Sequence, residues 1–146
     1  MEMLKLVALD DEDLQIISAH LQDAVLKVGD LDYLPREKRF VAVANRFVWE
    51  RAATGVFGKR TLERRRSVLH FDCVTMVKAS GIDRSRKDDV LSLLAVRFLP
   101  GDMPAGVVEF IFSGNAAVRL DVECIETKLT DLGPAWEARA KPEHDA

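Results

Sequence analysis

The sequence is poor in cysteine and in long apolar runs, and each shortage excludes a class of protein. It has 2 cysteines. Two separated cysteines form neither the disulfide framework of a small secreted domain nor a zinc motif with closely spaced ligands. No apolar run approaches the roughly 18 residues of a membrane span, and the N-terminal "MEMLKLVALDDED" does not resemble a signal peptide. We therefore expect a cytoplasmic protein without a membrane segment.

The chain has the length of one ordinary globular domain, and its charge is unevenly distributed. Its 146 residues and net charge of −3 suit a single domain with a core of its own. Residues 1–35 carry 2 basic and 8 acidic side chains, residues 36–66 carry 10 and 3, and residues 67–146 carry 9 and 13. We expect one α+β domain over residues 1–132, followed by a short turn and a polar tail over residues 133–146.

The N-terminal part of the chain predicts one amphipathic helix, from Asp10 to Gly29. Asp10 or Asp11 is a suitable N-cap, and Gly29 is placed where a C-terminal cap is expected. The apolar positions recur at steps of three and four and line one face of this helix: Leu14, Ile17, Leu21 and Val25.

After Gly29 the apolar period falls to two, which predicts β-strands. Six segments fit: "DLDYL", "RFVAVANRFVWE", "SVLHFDCVTMV", "VLSLLAVRFL", "GVVEFIF" and "AVRLDVECIE". Their connections are short, and none contains a second long helix from which a parallel crossover is built. The predicted fold class is α+β, with the N-terminal helix packed on a six-stranded antiparallel meander that is either an open sheet or a partly closed barrel.

Two of these strands predict a division between an inner and an outer face. In the second strand Val41, Val43, Phe47 and Trp49 share one face. In the last strand the apolar positions point inward and the charged ones outward. The inward set is Val118, Leu120, Val122 and Cys124.

Five basic side chains between residues 59 and 66 form a candidate surface for an anionic partner. They are Lys59, Arg60, Arg64, Arg65 and Arg66. Such a group can neutralise nucleic-acid phosphates, with binding that weakens steeply as salt rises. The alternative is a segment whose charges are solvated or meet the acidic N-terminal part of the chain. The acidity of the whole protein and the lack of interleaved aromatic residues favour this alternative.

His70 and Asp72 are a candidate polar pair. They are two residues apart in a predicted strand, so they share a face about 6 to 7 Å apart. One interpretation is a general acid or base with its partner. No serine or cysteine nucleophile shares their face within the strand, and Cys73 points the other way. The competing interpretation is a solvated pair on an outer face, and the pattern favours it.

The remaining reactive residue types predict structural roles. Cys73 and Cys124 fall at positions predicted to be buried, where a thiol behaves as a small hydrophobe. The 3 histidines are scattered, so we expect neither a metal site nor a cofactor. Carboxylates and arginines on neighbouring strands predict cross-strand ion pairs in preference to acid–base chemistry. These residues are Glu109, Asp121, Glu123, Glu126, Arg97 and Arg119.

Four stretches together carry a resemblance to a known family: "LKLVALDDEDLQIISAHLQDAV", "REKRFVAVANRFVWE", "RRRSVLHFDCV" and "LTDLGPAWEAR". The chain resembles an uncharacterised family of small, mainly alphaproteobacterial proteins catalogued as domain of unknown function 2948. The resemblance covers nearly the whole chain and implies a bacterial cytoplasmic protein. It implies no reaction, cofactor or catalytic residue.

Three functions remain open from the sequence. A non-enzymatic binding or interaction module for a protein partner or small ligand is the first, because no convergent catalytic set accompanies a well-patterned fold. The second is a small enzyme that uses His70, Asp72 or carboxylates carried on strands. The third is a nucleic-acid binder that uses residues 59–66. A homo-oligomer is compatible with each of them.

Overall fold

The computed structural model describes residues 3–48 and 63–134 of the chain. These residues form one α-helix, α1 (Asp11–His20), and ten β-strands. The strands are β1 (Lys5–Ala8), β2 (Val25–Lys27), β3 (Leu31–Leu34), β4 (Arg39–Phe47), β5 (Arg64–Phe71), β6 (Val74–Ser80), β7 (Val90–Pro100), β8 (Gly106–Phe112), β9 (Ala116–Val122) and β10 (Thr127–Pro134). No helix of this described part is long and apolar enough to cross a membrane.

All ten strands belong to one open antiparallel sheet. Its hydrogen-bonded order is β1-β10-β5-β4-β2-β7-β8-β9-β6, and β3 pairs with β4 beside β2. The α+β class and the antiparallel sheet are confirmed, but the prediction of six strands is wrong. The sequence does not reveal the short strands β1 and β2, or β10, whose sequence TKLTDLGP lacks regular apolar alternation. The single strand predicted over "SVLHFDCVTMV" is divided into β5 and β6 because Cys73 has a left-handed backbone, with φ of +62°.

The helix starts where the sequence predicts and ends earlier. An Asp10 carboxylate oxygen accepts a hydrogen bond from the Asp13 backbone N–H at 2.8 Å, which confirms the predicted N-cap. The helix ends at His20, and a turn with positive φ at Asp23 leads into β2. Gly29 is therefore not the helix cap. The periodic pattern continues through Val25, but pairing with β7 overrides it.

The two halves of the sheet lie face to face, with an aromatic cluster between them. The Phe110 ring in β8 meets the rings of Phe40 and Phe71, from β4 and β5, edge-on at centroid distances of 5.6 and 5.7 Å. Phe112 stacks on the same ring at 6.3 Å. The core therefore lies between β4 and β5 on one side and the β7–β9 hairpins on the other.

The predicted faces of β4 and β9 have different outcomes. The residues Val41, Val43 and Phe47 share a face, but it is the half-buried outer one, and Trp49 lies outside the described residues. The buried face of β4 carries Phe40, Ala42, Ala44 and Arg46. On β9 the predicted inward residues Val118, Leu120 and Val122 are buried, whereas Cys124 is half-buried.

The helix packs against β7, and the C-terminal strand β10 pairs with β5. The Ser18 hydroxyl of α1 accepts a hydrogen bond from the Val96 backbone N–H of β7 at 2.9 Å, so the helix lies against that strand. Sheet pairing of β10 continues to Pro134, which extends past the boundary predicted after residue 132. The predicted tail beyond residue 134 lies outside the described part of the chain.

Strands β3 and β6 each pair along one edge only within the described residues, and their other edges border the same open space. The strands approach each other at one end, where the Tyr33 hydroxyl donates to the Val74 carbonyl at 2.9 Å. At the other end, β6 passes through Gly81, whose φ is +72°, into a polar loop. A Cβ at Gly81 would lie 2.6 Å from the Asn115 carbonyl oxygen, so this sharp exit requires glycine. The fold thus leaves a cleft between β3 and β6.

Candidate functional site

The cleft between β3 and β6 has a volume of about 670 Å³, within the range of roughly 300–1,000 Å³ usual for small-molecule sites. Apolar side chains and polar groups both line it. The apolar lining consists of Val28, Leu31, Phe40, Val77, Ala79, Ile82 and Val118. These side chains come from β3, β4, β6, β9, the turn before β3 and the loop after β6, and the sheet brings them together.

Polar side chains are placed on one wall and at the mouth of the cleft. Asp32 and Tyr33 belong to β3, and Arg84 and Lys87 belong to the exposed loop after β6. Among the described residues, Arg84, Lys87 and Asp32 make no ion pair, whereas Arg86 of the same loop pairs with Asp89 at 3.3 Å. The mouth therefore offers two cations against one carboxylate.

Close backbone contact holds the loop beside the cleft. The Gly29 N–H donates to the Lys87 carbonyl at 2.9 Å. A Cβ at Gly29 would lie 3.1 Å from the Lys87 Cβ, so the missing side chain allows this close approach. Gly29, which the sequence predicts as a helix cap, therefore lines the cleft.

His70 and Asp72 do share an outer face, as the strand period predicts, but they lie outside the cleft lining. The His70 Nδ1 and an Asp72 carboxylate oxygen are 3.9 Å apart. The Arg39 Nε donates to the Asp72 carboxylate at 2.7 Å, so this carboxylate is already engaged. Burial lowers the pKa of His70, and the neighbouring Asp72 only partly opposes this effect. His70 is therefore neutral at pH 7.

Two of the three arginines of the basic stretch that the structure describes, Arg64 and Arg65, contact other side chains of the sheet. The Arg64 guanidinium lies 3.8 Å from the centre of the Phe47 ring. Arg65 is 2% exposed and pairs with Asp131, so a phosphate at the surface has no access to it. Arg66 is half-buried. Lys59 and Arg60 lie outside the described residues, and their role in binding anions stays a prediction.

The most polar arrangement in the interior is a group of charges around Asp131, which we call the Asp131 network. The Arg46 guanidinium binds the Asp131 carboxylate in a bidentate manner, at 2.9 and 2.8 Å. The same carboxylate accepts hydrogen bonds from the Ser67 hydroxyl at 2.6 Å, the Leu4 N–H at 2.9 Å and the Arg65 guanidinium at 3.3 Å. The side chains of Arg46 and Asp131 are 0% exposed. The network joins β4, β5 and β10 to the chain before β1.

The surroundings of Asp131 keep it ionised. Burial on its own raises the pKa of this carboxyl, but the hydrogen bonds from Arg46, Ser67 and the Leu4 N–H outweigh it and lower the pKa to about 2. A carboxylate that is enclosed and fully ionised stabilises the fold and has no access to a substrate.

The carboxylates on neighbouring strands form ion pairs, as predicted for Glu109. Arg97 in β7 and Arg119 in β9 are directly opposite Glu109 in the register and donate to its two oxygens at 2.7 and 2.9 Å. The hydrogen bond from Arg97, supported by that from Arg119, outweighs burial and lowers the pKa of Glu109. Glu123 pairs with Lys38 at 3.0 Å. These groups stabilise the sheet and do not form an acid–base pair.

The two cysteines are half-buried instead of fully buried, and the fold brings them together. The left-handed backbone at Cys73 interrupts the alternation, which is why the buried position predicted for it is wrong. Burial, together with hydrogen bonds to Cys124 and Glu126, raises the pKa of the Cys73 thiol to about 12. Because a thiolate is the reactive form, Cys73 is not a nucleophile at neutral pH.

The molecule is thus an antiparallel α+β protein that has a cleft of ligand size between β3 and β6, and its buried ion pairs stabilise the sheet. The chain belongs to the family described as Protein of unknown function (DUF2948), whose model matches residues 4–144. No curated protein and no solved structure matches the chain significantly. The family resemblance noted in the sequence is confirmed, and the description of the family names no reaction or ligand.

Proposed function

We propose that this protein is a non-enzymatic binding module that holds a small amphipathic anion, with an apolar body and a carboxylate, in the cleft between β3 and β6. The cleft itself is the observation that carries this function. Its volume suits one small molecule, and its walls combine apolar side chains with polar groups. An apolar ligand body would gain free energy by leaving water, at about 25 cal/mol for each Å² of apolar surface buried.

The charges at the mouth favour an anionic ligand group. Arg84 and Lys87 are exposed and belong to the loop that borders the cleft, and neither is neutralised by an acid among the described residues. A ligand carboxylate placed between them would form charge-assisted hydrogen bonds. Asp32, on the β3 wall, is available to accept a hydrogen bond from a ligand hydroxyl.

Catalysis has less support than binding. His70, Asp72 and Glu109 do not line the cleft, and the carboxylates of Asp72 and Glu109 are held in ion pairs with arginines. The Cys73 thiol is protonated at neutral pH. A binding module needs only the shape and charge that the cleft provides.

We expect carboxylates with an apolar body to bind this cleft more tightly than their neutral amides. Suitable probes are naphthoate, phenylbutyrate and octanoate, with affinity measured by calorimetry at low salt. Replacing both loop cations, as Arg84→Glu with Lys87→Glu, should weaken carboxylate binding about tenfold, because two exposed charge contacts together contribute about 1.4 kcal/mol. The affinity for the neutral amides should change much less.

The same loop supplies a matched control. Arg86→Glu changes a charge that pairs with Asp89 and does not line the cleft, so carboxylate affinity should stay unchanged. Ala79→Trp places a large side chain at an exposed position in the cleft wall and should abolish binding of every probe without loss of stability. Equal effects of the Arg86 and Arg84/Lys87 variants, or undiminished binding by Ala79→Trp, would exclude the cleft as the binding site.

A further inference from the structure

Two half-buried thiols and an exposed carboxylate meet at the corner where the two halves of the sheet are joined. Cys73 lies between β5 and β6, and Cys124 and Glu126 lie between β9 and β10. Two backbone hydrogen bonds hold these connections side by side. The Asp72 N–H donates to the Glu126 carbonyl and the Glu123 N–H donates to the Cys73 carbonyl, each at 2.9 Å. We call the three side chains Cys73, Cys124 and Glu126 the thiol cluster.

The spacing of the donor atoms in the thiol cluster suits one metal ion. The two Sγ atoms and a Glu126 carboxylate oxygen all lie within 4.8 Å of one another, and the Cys73 Sγ is 3.6 Å from the Glu126 Oε1. A tetrahedral zinc ion has Zn–S bonds of about 2.3 Å and Zn–O bonds of about 2.0–2.2 Å, so its donor atoms lie roughly 3.5–3.8 Å apart. Small side-chain rotations bring the three donors to that geometry.

The chemistry of the donors selects the class of ion. Thiolates favour zinc and other thiophilic ions over magnesium and calcium, which prefer oxygen ligands alone. A divalent cation offsets the repulsion between two thiolates and a carboxylate that are placed this close together. The exposure of Glu126 leaves a path from solvent to the two thiols.

We propose that Cys73, Cys124 and Glu126 form a binding site for a thiophilic divalent cation, zinc being the physiological ion of that class. On binding, two sulfur–metal bonds and one bond from a carboxylate oxygen to the metal form, and each thiol releases its proton to solvent. Water completes a tetrahedral arrangement in the fourth position, as in zinc sites with three protein ligands. This site does not depend on the proposed ligand in the cleft, because none of its three residues lines the cleft.

Cobalt(II) titration of the full chain under reducing conditions tests the site. We expect one ion to bind per chain, with the intense near-ultraviolet absorption of thiolate bound to cobalt, and zinc to displace it. Cys73→Ser and Cys124→Ser should each weaken binding by more than about a hundredfold and lose this absorption, since loss of a direct ligand exceeds the 10–100-fold effect of an outer hydrogen-bonding partner. Glu126→Gln should weaken binding by about tenfold or more.

Glu123→Gln is the matched control, because Glu123 is a carboxylate of the same connection that pairs with Lys38 and not with the thiols. Its cobalt affinity should equal that of the unmodified chain. Circular dichroism checks that each serine variant is folded. If a serine variant does not fold, Glu126→Gln still tests the site, because it alters an exposed side chain.

Three results would overturn the site. One is the absence of thiolate-to-cobalt absorption in the reduced chain. Another is an undiminished affinity for cobalt both in the Glu126→Gln variant and in one of the two serine variants. The third is air oxidation that links Cys73 to Cys124 in a chain whose reduced form binds no metal, which would identify a redox-active thiol pair instead.

Discussion

Replacing Asp131 by alanine should lower the free energy of unfolding by about 3–5 kcal/mol, the usual cost of removing one partner of a buried ion pair. The change takes away the carboxylate that binds the Arg46 guanidinium in a fully buried position. It also removes the acceptor of hydrogen bonds from Ser67 and from the Leu4 N–H. Urea unfolding followed by circular dichroism measures the effect.

Two further variants distinguish the effect of disrupting the Asp131 network from the effect of removing any one carboxylate. Asp121→Ala removes a half-buried carboxylate whose side chain makes no hydrogen bond or ion pair among the described residues, and it should cost less than about 1 kcal/mol. Ser67→Ala removes one hydrogen bond to the Asp131 carboxylate and should cost about 1.5–3 kcal/mol. Similar losses for Asp131→Ala and Asp121→Ala would contradict the network's structural role.

The low pKa of Asp131 makes the free energy of unfolding depend on pH in the acid range. The pKa of Asp131 is about 2 in the folded chain, below the ordinary value of 3.8 that applies when the chain is unfolded. Because the folded-state pKa is the lower one, this stabilisation is fully present above about pH 4 and is lost as the pH falls toward 2. The loss should amount to about 2 kcal/mol. It should be missing from the pH dependence of the Asp131→Ala variant.

Replacing Phe110 by alanine should also lower the free energy of unfolding by about 3–5 kcal/mol. Phe110 is 1% exposed and is the ring on which Phe40, Phe71 and Phe112 converge. Truncation would leave a cavity between the two halves of the sheet that their backbones cannot close. Urea unfolding again provides the measurement.

Met76→Ala is the control for this second change, because Met76 is a large apolar residue of β6 that is 46% exposed. Its loss should cost less than about 0.5 kcal/mol. If Phe110→Ala were no more destabilising than Met76→Ala, the two halves of the sheet would not share a core through Phe110.

The helix start and most strands follow from local sequence, whereas the helix end does not. Asp10 caps α1 through its own side chain and a backbone N–H three residues later, so a local pattern is enough to locate it. Val25 continues the helical spacing of Leu14, Ile17 and Leu21, yet it lies in β2 opposite Ser92. That partner is far along the chain, and no local period reveals it.

The sequence does not reveal the buried ion pair of Arg46 and Asp131, for a related reason. Arg46 alternates with valines and phenylalanines in β4, so its charge suggests an exposed position when the strand is considered alone. Its partner Asp131 comes 85 residues later, at the irregular end of β10, and only the pairing of β4, β5 and β10 brings them together. A buried arginine is predictable only when its carboxylate is known.

The cleft and the thiol cluster share this dependence on distant pairing. Cys73 and Glu126 are 53 residues apart, so the rule of short ligand spacing fails to detect them. The cleft wall combines β3, β4, β6, β9, the turn before β3 and the loop after β6. By contrast, the strand period alone predicts that His70 and Asp72 lie close together, because residues two apart in an extended segment need no distant partner.

The most direct test of the proposed ligand site is a map of backbone amide chemical shifts during titration with naphthoate. Binding in the cleft predicts saturable shift changes concentrated at Val77, Ala79, Ile82 and Val118, with smaller changes in the loop that carries Arg84 and Lys87. The same titration of the Ala79→Trp variant should show none of them. Shift changes confined to other surfaces, such as residues 59–66, or no saturable change with any carboxylate probe, would contradict the assignment of the cleft as the binding site.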